Sequence, residues 1–136
     1  GDLFSRLRGL PGIGKKTALM LILLTAGFRD FENAGQVSSY MGLAPCHRQS
    51  GSSVRGNARI SKQGNAKIRN LLFMCSFTAC SSNKACRELY ERIVAKGKSK
   101  KLALIAVANK LIRQAFAIAK SGLPYDEEFR SIRPSI

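Results

Sequence analysis

The chain has no tryptophan, one histidine and eight carboxylate side chains against 23 lysines and arginines, for a formal net charge of +15 at neutral pH. Seven Phe and three Tyr make base stacking a poor main mode of binding, because each stacked base needs its own aromatic face. His47 leaves little scope for imidazole acid–base chemistry. The four cysteines, Cys46, Cys75, Cys80 and Cys86, include no pair at C-x₂-C spacing, so a zinc knuckle lacks its ligands. Cys75 and Cys80 instead fit small buried apolar residues on a predicted helix, and no metal site is expected. Free thiols in a basic chain with no secretory signal at Gly1 suit a reducing cytosol. No apolar run is expected to be long enough to cross a membrane, and no membrane is expected as a partner. A start at Gly1, already inside a helix-like segment, suggests an excised fragment.

Carboxylates are missing from two long windows as well. Between Asn33 and Arg87 there is none, while Arg48, Arg55, Arg59, Lys62, Lys67, Arg69 and Lys84 occur. Between Arg92 and Tyr125 there is again none, while Lys96, Lys98, Lys100, Lys101, Lys110, Arg113 and Lys120 occur. Such a surface attracts polyanions, since neutralising phosphates releases their condensed counterions. Nucleic acid is the partner this charge favours.

The opening run Leu10-Pro11-Gly12-Ile13-Gly14-Lys15-Lys16-Thr17-Ala18 is the most informative local pattern. Pro11 and Gly12 stop a first helix, and the apolar run from Thr17 starts a second. Gly14 is expected where a Cβ would obstruct a tight turn. Free N–H groups at the start of the second helix, together with its dipole, suit a phosphate. Gly12, Gly14, Lys15 and Lys16 are therefore candidate DNA contacts. Two features argue against a nucleotide-binding P-loop: Lys16 stands where the Mg²⁺-binding hydroxyl belongs, and no buried strand is expected before Gly9. Helix, L-P-G-I-G, helix resembles the helix-hairpin-helix of DNA repair and recombination proteins, which holds the backbone without reading sequence. A plain helical corner is the bland alternative.

The periodicity predicts a mainly α protein of long packed helices. Helices are expected at 2–9, 15–27, 34–41, 65–81, 84–95 and 102–120, with Gly27 closing the second. Along the last, the expected stripe is Leu102, Ile105, Ala106, Asn109, Leu111, Ile112, Ala115, Phe116 and Ala119. Residues 45–63 form a basic Ser/Gly loop or a small β-ribbon. Residues 1–121 are expected to be one domain and 122–136 a tail or linker.

Residues 42–72 carry a second pattern: Gly42-Leu43-Ala44-Pro45, Ser50-Gly51, Ile60-Ser61-Lys62-Gln63-Gly64 and Ile68-Arg69. With Gly12 to Ala18, the helix Leu102 to Ala119 and Gly122 to Tyr125, this order resembles the C-terminal transposase domain of the DEDD insertion-sequence transposases. That family includes the Piv-type invertases and the bridge-RNA-guided recombinases. The chain departs from it conservatively at Ile68 and Asn70.

The resemblance implies an N-terminal RuvC-like domain, absent from this chain, that would hold Mg²⁺ through four acidic residues. It implies that this domain supplies a serine attacking a DNA phosphodiester, carried over here as Ser50. Ser50 directly precedes Gly51, whose freedom lets a loop approach a backbone closely. Arg48, Arg55, Arg59 and Lys62 would contact phosphate or offset its charge, and Arg69 would contact a DNA or RNA phosphate or, equally, form a surface salt bridge. Ser61 is equally a helix cap. A guide RNA and a homo-oligomer are also implied, with the fragment inactive alone. The alternative function is a non-catalytic helix-hairpin-helix module binding DNA or RNA.

Overall fold

The computed structural model describes residues 2–43 and 62–126, and all its regular elements are helices. In chain order these are α1 (Asp2–Arg8), α2 (Lys15–Thr25), α3 (Ala34–Tyr40), α4 (Lys62–Ser82), α5 (Lys84–Ala95) and α6 (Lys100–Ser121). The mainly α expectation holds. The proposed ribbon falls largely on residues 44–61, outside the described residues, but its last two positions, Lys62 and Gln63, already belong to α4.

Helix boundaries follow from local chemistry. Asn33, Asn83 and Ser99 each stand just before a helix and accept a hydrogen bond from an N–H of its first turn, on Gln36, Cys86 and Leu102 respectively. These side chains occupy donors that the helix itself cannot satisfy. Gly122, at φ 74°, closes α6. The second helix stops at Thr25, and the left-handed turn after it begins at Ala26 (φ 54°), runs through Gly27 (φ 73°) and ends at Phe28 (φ 66°). Two non-glycine residues in that conformation carry strain. It is offset by burial. Phe28 is fully buried, meets Phe116 edge-on with centroids 6.1 Å apart, and its N–H donates to Thr25 Oγ1 at 3.1 Å.

The core lies around α6, which packs against α1, α3, α4 and α5, while α2 bridges α1 and α4. Its buried face is Ala103, Leu104, Val107, Ala108, Leu111, Ile112, Ala115 and Ile118. That corrects the expected stripe: Leu102 is exposed, and Ile105, Ala106 and Asn109 are only half-buried. An alanine-rich helix that is apolar nearly all round does not announce which side faces inward. The membrane expectation also needs correction. By length and composition, α6 is a helix apolar enough to cross a membrane. Here its apolar face is the centre of the core, and Lys110 and Arg113 interrupt the sequence midway.

On α4 the helical spacing of the sequence puts Ile68, Leu71, Leu72, Cys75, Ser76 and Ala79 on one stripe; all are buried except Leu71, which is half-buried. The opposite side carries exposed Met74 and Phe77.

Candidate nucleic-acid interface

Between α1 and α2 the chain turns through Gly9 to Gly14. Leu10 and Ile13 point into the core, and the Ile13 N–H donates to the Leu10 carbonyl at 3.0 Å. The turn is fixed to the body of the molecule at three places. At Gly12, φ is +105°, and an added Cβ would lie 2.8 Å from the Ala79 Cβ. Thr17 Oγ1 lies 3.2 Å from Cys75 Sγ. The Asn83 amide donates to the Pro11 carbonyl at 3.1 Å.

Asn83 is completely buried. Its amide also donates to Gln114 Oε1 at 2.8 Å, while its own oxygen accepts from the Cys86 N–H at 3.3 Å and from the Gln114 amide at 3.4 Å. One side chain thus joins the hairpin turn, the start of α5 and the middle of α6. A buried amide with its donors and acceptors satisfied is a rigid joint. The sequence reading passed over Asn83. Its signal was the position of an Asn between two apolar-periodic segments, where a helix cap belongs.

The outer side of the turn is open and basic. Gly14, Lys15 and Lys16 are exposed. The first bond within α2 runs from the Ala18 N–H to the Gly14 carbonyl, so the three N–H groups before it have no acceptor in the helix. No side chain caps this end and no acidic residue lies in its first turn. Two ammonium groups and the positive end of a helix therefore share one exposed surface.

The two glycines divide their roles differently from expectation. Gly14 has an ordinary φ of −91°, and nothing lies within 4 Å of a Cβ built there. The position that excludes a Cβ is Gly12, and what excludes it is α4.

Arg69 is exposed on α4, two turns into the helix rather than one because α4 begins at Lys62. Arg69 lies six residues, about 9 Å along the axis, from Cys75, the α4 residue that Thr17 of α2 meets. The turn meets α4 at Ala79, ten residues away, or about 15 Å along the axis. Lys62, at the start of α4, is farther still, about 25 Å. Ser50, Gly51, Arg48, Arg55 and Arg59 lie outside the described residues. The segment carrying them leaves from Leu43, whose carbonyl accepts from the Asn109 amide at 3.0 Å, and re-enters at Lys62.

The thiols of the described cysteines are free. Cys75 and Cys86 are buried. Burial pushes the Cys86 thiol up to about 12, a rise that nearby Lys110 opposes and Cys80 adds to. Partial burial, then the Glu91 carboxylate, raise Cys80. Protonated thiols are poor metal ligands and poor nucleophiles. Among the described residues, no three His, Cys, Asp or Glu side chains converge on a point where a metal ion would sit.

The sequence model of the transposase IS116/IS110/IS902 family matches residues 4–91. The chain belongs to that family. It is 35% identical over 124 residues to the pilin gene-inverting protein of Moraxella lacunata, covering 90% of this chain and 38% of that protein. It is 32% identical over 120 residues to an IS110 insertion-element protein of Streptomyces coelicolor, covering 88% and 29%. It is 35% identical over 69 residues to the transposase of insertion sequence IS1111A from Coxiella burnetii, covering 49% and 18%. The chain thus spans well under half the length of these relatives.

Proposed function

We propose that this chain is the DNA-holding, serine-bearing part of a transposase or site-specific recombinase that cuts and rejoins DNA. Membership of a transposase family is the observation that carries the reading. It is supported by the exposed end of α2, where Lys15, Lys16 and unbonded N–H groups face outward on a strongly basic protein. On this reading α1, the turn and α2 act as a helix-hairpin-helix gripping sugar-phosphate, and Arg69 adds a backbone contact.

Ser50 is the proposed nucleophile. Its Oγ forms a bond to a DNA phosphorus as the bond from that phosphorus to one strand oxygen breaks. The serine proton passes to a base, and the departing oxygen takes up a proton to become a strand-end hydroxyl. The phosphodiester count is unchanged, so attack by a hydroxyl on the phosphoserine rejoins a strand with no outside energy source. Arg48, Arg55 and Lys62 would offset charge on the pentacoordinate phosphorus, Arg59 would contact the DNA, and Gly51 would allow the close approach.

The described residues offer no Mg²⁺ site of their own, and the ion is assigned to the RuvC-like acidic domain that the resemblance implies. A guide RNA and a homo-oligomer belong to the same proposal.

The test uses the full-length protein with Mg²⁺, DNA and its guide RNA. A covalent protein–DNA adduct should form and should vanish in Ser50→Ala with duplex binding nearly intact. Ser52→Ala and Ser53→Ala should keep it. Recombination by the Ser50→Ala protein would rule out the serine mechanism.

A further inference from the structure

The turn between α5 and α6 holds four lysines in six residues: Lys96, Lys98, Lys100 and Lys101, all exposed. None has an ion-pair partner among the described residues. Lys100 and Lys101 form the first turn of α6, a 22-residue helix with no acidic residue there, so they stand at its positive end. Charge of that sign at a helix N-terminus is unfavourable, and an acidic side chain would be the stabilising choice. Ser99 already caps the Leu102 N–H, so the fold does not need the lysines for helix capping. Gly97, at φ +87° with nothing within 4 Å of an added Cβ, leaves the surface of the turn open. The unfavourable charge is concentrated on a site that only an external anion relieves.

This site is separate from the hairpin. Asn83, which precedes α5, holds the Pro11 carbonyl of the hairpin, and α5 then runs 12 residues to the lysine turn. At 1.5 Å per residue the lysine turn lies about 18 Å along α5 from the point where Asn83 holds the hairpin turn. Between them α5 carries exposed charges of both signs, Lys84, Arg87 and Arg92 with Glu88 and Glu91.

We propose that the α5–α6 turn is a second nucleic-acid site, which holds a segment of phosphodiester backbone other than the one held at the hairpin. The proposal rests on the reading of the chain as a nucleic-acid-binding domain and adds a second binding surface to it. Contact is to phosphate, because four lysines and a helix N-terminus supply charge and donors but no planar groups to read or stack a base.

Short duplexes of about 10 base pairs test it on the 136-residue chain. The wild type should bind two duplexes per chain. The variant Lys96→Ala/Lys98→Ala/Lys100→Ala/Lys101→Ala should bind one, with the slope of log affinity against log salt at that site lost. Each phosphate contact contributes about 0.9 to such a slope, so the total should fall by roughly two to four. The matching set of Lys→Arg changes should restore the second duplex, and all variants should melt within a few degrees of the wild type. Lys15→Ala/Lys16→Ala should remove the other duplex. If only the lysine-turn variant loses a duplex, the hairpin reading fails and this one stands. One duplex per chain in the wild type, or an unchanged stoichiometry and salt slope in the lysine-turn variant, overturns the second site. Turn-dependent retention on phosphatidylserine vesicles with duplex binding unchanged would assign the surface to lipid and overturn it equally.

Discussion

Asn83 shows how much one buried side chain can hold. Its amide bonds tie the Pro11 carbonyl, the Cys86 N–H and Gln114 into one cluster with no solvent to substitute for a lost partner. Asn83→Ala removes the cap of α5 and strands the groups it served, and the cost should be about 2–4 kcal/mol, read by urea unfolding. Cys86 makes a second residue-scale prediction. Burial raises its thiol from the ordinary value of 9.0 to about 12, so the folded state holds this proton more tightly than the unfolded chain does. Above pH 9 the unfolded chain releases the proton first, and stability should fall as pH rises from about 9 toward 12. Below that window the contribution is complete. Cys86→Ala should unfold with a flatter dependence on pH over the same range, the lysine titrations being common to both proteins. An equal slope in the two proteins would mean that the thiol is not the group responsible.

At the level of elements, the hairpin is a device whose inner and outer sides do different things. Its inner side is Gly12 against Ala79, where no Cβ fits. Gly12→Ala should destabilise the fold by about 2 kcal/mol or more, from strain at positive φ together with the clash on α4. Ala79→Gly in the same chain should recover part of that loss, the clash being relieved and the backbone strain not, so a double-mutant cycle will show coupling. Its outer side is Gly14, which has open space around it. Gly14→Ala should cost about 1 kcal/mol or less, the difference between glycine and alanine at an N-cap, and leave the protein folded. Any loss of duplex binding in that variant therefore reports contact at the α2 N-terminus and not misfolding. Equal duplex binding by folded Gly14→Ala would leave the turn as a plain corner. The pairing of helices with periodicity was legible where one face is distinct, as on α4 with Ile68, Leu72, Cys75 and Ala79. It was not legible on α6, where alanine on every side left the inward direction to be chosen by α1, α3, α4 and α5.

For the whole molecule, the charge of +15 dominates its expected behaviour toward polyanions. The chain alone should bind duplex DNA with little sequence preference and steep salt dependence, and should form no covalent adduct, because nothing in it is assigned to activate the Ser50 hydroxyl. Gel shift across a salt series and denaturing electrophoresis of the same samples check both statements. An adduct formed by this chain without further protein would end the assignment of activation to another domain. Sequence alone determined the mainly α class, the turn between the first two helices and its basic residues, the helix stop at Gly122 and the family resemblance, since these rest on neighbouring residues and on order along the chain. Tertiary structure decided what no local pattern holds. It assigned Gly12 rather than Gly14 to the close approach, because the obstructing atom is Ala79, 67 residues later. It made Asn83 the joint of the hairpin, because its partners Pro11 and Gln114 are 72 and 31 residues distant. It also set the hairpin and the lysine turn at opposite ends of α5, because spacing between charged surfaces follows from how rigid helices pack and not from their order in the chain.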